Sequence, residues 1–159
     1  MSEDEKRYDD ARLRPILGYI GLLRDSLRMQ NWDIILHQTV CDEEDVHAKT
    51  WQDHNHATLN VELGEKFFEE TPVRVRSHLT HELVHAQHRD VSRLWEDCTQ
   101  NNSDVPESQA KAWDGDFHVF LERFVSWITA RIVPTMPEFD PEKTYEAPAG
   151  CFLLGEHIA

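Results

Sequence analysis

Between Tyr8 and Met29, apolar residues recur at Leu13, Ile16, Leu17, Ile20, Leu23 and Leu27, the spacing of one helical face. Gly18 and Gly21 weaken this predicted helix, and Pro15 kinks or restarts it. Trp32 to Val40 is rich in apolar and β-branched residues and predicts a strand. Asp42 to Asp45 predicts a turn or the start of a short helix. From His54 to Val61 the chain alternates, with His54, His56, Thr58 and Asn60 on one side and Asn55, Ala57, Leu59 and Val61 on the other. Period two with one apolar face predicts a half-buried strand, placed here at a sheet edge. Gly64 to Glu70 predicts a short turn or helix that carries Phe67 and Phe68 into the core.

Thr71 followed by Pro72 reads as an N-cap with proline at the first helical position. The helix so opened is expected to run through His81–His85 to about Asp97. Cys98 to Val105 is polar and predicts a loop. A second long helix is expected from Pro106 to Val133, with Trp113, Phe117, Phe120, Leu121, Phe124 and Ile128 as its apolar face and Pro134 as its stop. Residues 134–159 hold Pro134, Pro137, Pro141 and Pro148 without a clear period. No internal repeat interrupts the chain, and 1–159 reads as one domain.

At 159 residues with 40% hydrophobic content, the chain is long enough to bury a single core. A formal net charge of −14 repels phosphate backbones and anionic lipid, so neither nucleic acid nor a membrane surface is expected as a partner. Cys41, Cys98 and Cys151 are odd in number and contain no CxxC pair, which argues against a disulfide scaffold and for a reducing, cytoplasmic setting. Met1 to Glu5 do not lead into an apolar run, so no signal peptide is expected. No stretch approaches the roughly 18 apolar residues of a membrane span.

The segment His81-Glu82-Leu83-Val84-His85 carries the chemistry. Residues four apart share a helix face, so His81 and His85 can offer two imidazole nitrogens to one ion. Glu82, adjacent to the first ligand, is placed to take a proton from water at the metal and pass it to a leaving amine. Leu79, Leu83, Val84 and Ala86 surround these groups and dry the site. In a chain with 10 histidines, a motif this short also arises by chance on a surface helix.

A catalytic zinc takes three protein ligands and keeps one position open. His88 shares the helix with the first two, but one straight helix does not wrap three side chains around an ion, and a solvated histidine is the simpler reading. The position six residues beyond His85 is Val91, which excludes a third histidine there. On the later helix Asp114, His118, Glu122 and Ser126 form a polar stripe. Periodicity alone leaves Glu122 balanced between a ligand and an exposed glutamate paired with Arg123. Cys151 in the tail is a remoter candidate for the ion, with an ordinary buried or exposed thiol the alternative.

From Trp32 to Pro137 the chain resembles the minimal gluzincin-type zinc peptidases of actinobacteria and their phages. The resemblance rests on Trp32-Asp33-Ile34, Thr58-Leu59-Asn60-Val61, Leu79-Thr80 running into the HExxH segment, Leu121-Glu122-Arg123-Phe124-Val125, and Ala130-Arg131-Ile132-Val133-Pro134. It implies one catalytic Zn2+ held by His81, His85 and Glu122, with Glu82 as general base and then general acid. Such proteins often carry Asp four residues after the late Glu; here Ser126 stands there, a weaker partner for a ligating histidine. The resemblance also implies an edge strand that pairs with an extended peptide, for which 54–61 is the candidate. His54 and His56 read better as surface histidines. His118, one turn before Glu122, is a candidate hydrogen-bond donor to the transition state.

The expectation is therefore an α+β, minimal zincin-like domain. A small, mostly antiparallel sheet packs on an N-terminal helix, an active-site helix and a late ligand-bearing helix. The activity implied is that of a zinc endopeptidase acting on peptides or proteins in the cytoplasm, a host cytoplasm if the gene belongs to a phage. The rival readings are a non-catalytic zinc-binding interaction domain, a zinc hydrolase of non-peptide amides, and a metal-free acidic binding module.

Overall fold

A computed structural model describes residues 6–41, 43, 45–53 and 56–154. Asp42 and Glu44 of the acidic turn, His54 and Asn55 of the alternating segment, Met1 to Glu5 and residues 155–159 lie outside the described residues. The architecture is α+β. In chain order come α1 (Asp10–Ser26), β1 (Asp33–Cys41), β2 (Ala48–Asp53), β3 (Thr58–Gly64), a 3₁₀ turn (Glu65–Glu69), α2 (Pro72–Gln87), α3 (Arg89–Thr99), α4 (Glu107–Ile132) and β4 (Cys151–Leu154).

The sheet is mixed rather than mostly antiparallel. Its order is β2-β3-β1-β4, in which β1 runs parallel to both β3 and β4 and only the β2–β3 pair is antiparallel. Leu59, Val61 and Leu63 of β3, Ile34 and Leu36 of β1, and Cys151 and Leu153 of β4 face one buried side. That side packs on Leu13, Ile16, Leu17, Ile20 and Leu23 of α1 and on Val75, Leu79, Leu83 and Ala86 of α2. The opposite side of the sheet keeps polar and exposed groups, among them Trp51 and Phe152.

The expected edge strand at 54–61 is corrected in position. The strand there is β3, paired on both sides and therefore internal. Its polar residues face the uncovered side of the sheet; they do not mark an edge. The edge next to it is β2, where Ala48, Thr50 and Gln52 turn inward and Lys49, Trp51 and Asp53 outward; β4 is the opposite edge.

Two further expectations change. The helix expected to run from Thr71 to Asp97 breaks at His88, whose φ of −96° and ψ of 10° leave the α-region. There the His88 N–H turns to the carbonyl of His85 at 3.0 Å, and the imidazole Nδ1–H donates to the freed Val84 carbonyl at 2.8 Å. A histidine thus caps one helix with its ring and starts the next with its backbone. The tail is not irregular throughout, since it returns to lay β4 beside β1, Ile34 opposite Cys151.

Gly18 and Gly21 are the reason the tail fits. A Cβ on Gly18 would lie 2.3 Å from the Tyr145 carbonyl oxygen, and one on Gly21 would lie 2.3 Å from the Pro148 ring. The Tyr19 hydroxyl donates to the Pro137 carbonyl at 2.7 Å, and buried Arg24 donates to the carbonyls of Trp32 and Ala149. Residues that weaken an isolated helix here let a second segment dock against it. No helix among the described residues is long and apolar enough to cross a membrane.

Candidate metal centre

Thr71 caps α2 by accepting from the Arg74 N–H, and Pro72 occupies the first turn. The helix then buries two stripes. Val75, Leu79, Leu83 and Ala86 enter the main core, while Val84 meets Leu121 and Val125 of α4 in a second, smaller cluster. His81, Glu82 and His85 are left partly exposed.

There the two imidazoles converge as their spacing requires. His81 Nε2 and His85 Nε2 lie 3.0 Å apart. From α4, Glu122 reaches across with Oε1 at 3.0 Å from His85 Nε2 and Oε2 at 3.6 Å from His81 Nε2. An ion about 2.0–2.1 Å from tetrahedral ligands separates them by about 3.3–3.4 Å. The donor set of two imidazole nitrogens and a carboxylate oxygen therefore fits a zinc-sized dication in both chemistry and spacing. Burial pushes His85 below its ordinary value, against the pull of Glu122, and so favours the neutral ring that ligates.

Glu82, beside the trio, also reaches the edge strand β2. The Thr50 hydroxyl of β2 donates to its Oε2. Burial raises the Glu82 carboxyl above its ordinary value, while the Thr50 hydrogen bond and His81 act in the other direction. A carboxylate raised toward neutrality is suited to receiving and returning a proton. Gln52 of the same strand reaches the His85 carbonyl at 3.5 Å, so β2 is held against α2 at two points.

Thr50 was not evident as a site residue in the sequence. The inward alternation of Ala48, Thr50 and Gln52 was its only signal, and it is weak in so polar a segment. Other candidates are placed elsewhere. His118 is exposed and pairs with Asp114 at 3.4 Å, Ser126 and His56 are exposed, and His88 is occupied at the helix junction. Cys151 is buried on β4 against α1, where burial pushes its thiol up to about 11. Compared with protein-family models, with curated proteins and with solved structures, the chain matches none.

Proposed function

We propose that this protein is a zinc-dependent peptidase of the gluzincin type. The convergence of His81, His85 and Glu122, drawn from two helices onto one point, carries the reading. Zinc held by these groups would supply Lewis acidity toward a carbonyl oxygen and lower the pKa of a water molecule. Glu82 takes the proton of the attacking water and delivers it to the departing amine. Thr50 fixes Oε2 of Glu82 and leaves Oε1 to exchange that proton. The strand above the site offers the substrate its register. As an edge strand, β2 has one side unpaired within the sheet, and an extended peptide adding to it would pass over α2. This favours cleavage within a chain over removal of terminal residues.

The setting proposed is the cytoplasm, supported by Cys41, Cys98 and Cys151 all being free thiols. Glu82→Gln is the decisive variant. It is expected to bind zinc at the wild-type stoichiometry and to lower cleavage of a peptide library by about 10²–10⁴-fold. Unchanged turnover would remove Glu82 from the mechanism. Full zinc occupancy in the wild type without cleavage of any peptide would instead identify a binding domain or a hydrolase of other amides.

A further inference from the structure

One turn before His81, the same helix presents His78 to a second cluster that the proposed peptidase chemistry does not use. Its partners are His47, from the loop that leads into β2, and Glu70, which follows the 3₁₀ turn. One donor atom from each of the three lies within 4.8 Å of the other two. The His47 and His78 rings are 5.0 Å apart between centroids. Glu70 Oε1 is 3.0 Å from His47 Nδ1, and the glutamate side chain is only 7% exposed.

The polar accounting is incomplete without another group. Among the described residues, His47 Nδ1 and His78 Nδ1 are both buried without a hydrogen-bond partner. Glu70 is close to the first, but lies off the direction that a ring N–H would need. Buried imidazole nitrogens without partners are costly, and the carboxylate beside them gives a cation a set to complete, since Arg74 reaches only the far oxygen of Glu70. The loop is also held in place. Gly64 N–H donates to the His47 carbonyl at 3.0 Å, and the Val46 carbonyl oxygen occupies the space a Cβ on Gly64 would need, 2.0 Å from it.

We infer that His47, Glu70 and His78 form a second site for a divalent transition-metal ion of the zinc class. Two imidazoles and one carboxylate suit that class better than the all-oxygen preference of magnesium or calcium. Three protein ligands leave a position open. A cavity of about 250 Å³ adjoins it, lined by His47 and Glu70 together with Lys66, Glu69, Thr71 and Arg74. Lys66 and Arg74 carry positive charge there, Lys66 pairing with Asp45 and Arg74 lying 3.6 Å from Glu70 Oε2. The open position therefore takes water or a small anion. Bound there, the ion ties the entrance of β2 to α2, three residues before Thr50 meets Glu82.

Equilibrium dialysis of the full chain against zinc chloride at buffered micromolar free zinc, followed by elemental analysis, tests this. Wild type is expected to hold two equivalents and His47→Gln one. The double variant His81→Ala/His85→Ala is expected to lose the other equivalent and keep the one at His47. Glu70→Gln, nearly isosteric, provides a second variant should His47→Gln fail to give a native circular dichroism spectrum. If both single variants hold as much zinc as wild type, the second site is overturned and the cluster is an ion pair alone. Loss confined to His81/His85 sinks this inference and spares the first site. Loss confined to His47 and Glu70 supports it and sinks the first.

Discussion

The two halves of the candidate centre are held by unequal amounts of packing. His81, Glu82 and His85 ride on α2, whose Leu79, Leu83 and Ala86 are at most 2% exposed within the main core. Glu122 rides on α4, which meets α2 through a cluster whose buried members are Val84, Leu121 and Val125. Ala110 and Thr129 are buried as well, but much of α4 stays open, with Phe120 62%, Trp127 55% and Trp113 40% exposed. Histidines fixed by a core are preorganised to bind, whereas a glutamate on a lightly anchored helix would be positioned in part by an ion bound there. On the proposed function, zinc binding and α4 docking would be one equilibrium, with the α1–sheet core outside it.

Truncating each half should separate them. Leu83→Ala is expected to cost about 2–5 kcal/mol of global stability by urea denaturation, with little change in zinc affinity once the fraction folded is taken into account. An intermediate loss is expected where the tail meets α1. Gly18→Ala places a methyl against the Tyr145 carbonyl and should cost about 1–3 kcal/mol while leaving zinc content unchanged. Leu121→Ala should cost less than a core leucine does, about 1 kcal/mol. It should nevertheless weaken zinc binding measurably, and an unaltered zinc affinity in Leu121→Ala would abolish the distinction between the halves.

The smallest effect tests the core alone. Cys98 is expected to react with a thiol reagent at pH 8 without unfolding, whereas Cys41 and Cys151 react only as the chain opens. Because burial raises Cys151 from 9.0 to about 11, the folded state holds that proton more tightly than the unfolded state does. Its contribution is present below pH 9 and is lost as pH rises to about 11, so the urea midpoint should fall across that window. Cys151→Ala should flatten the fall.

The sequence was most informative where periodicity and spacing coincide. The four-residue interval of His81 and His85 survives folding because the helix around them is regular, and α1 and α4 follow from the same periodicity. The break at His88 was hidden, since it depends on which donor reaches the Val84 carbonyl. An apolar stripe was visible on α4, but not which part of it meets α2; Phe120 and Trp113 lie exposed, while Val125 is buried. β2 is too polar to stand out by alternation. β4 is four residues long and gains its order from pairing with a strand more than a hundred residues earlier. Glu122 was undecided on periodicity because its partners are on another helix.

That distant pairing has a consequence for synthesis. A chain emerging N-terminus first offers β1 long before Cys151–Leu154 exists to cover it. At about 5–20 residues per second the interval is on the order of 10 s. Throughout it, one edge of β1 and the glycine face of α1 stand uncovered, and an unpaired strand edge is a template for another chain. The last strand made therefore seals the first, and the nascent protein passes through an interval in which a chaperone or a second polypeptide can reach that edge before its own tail does.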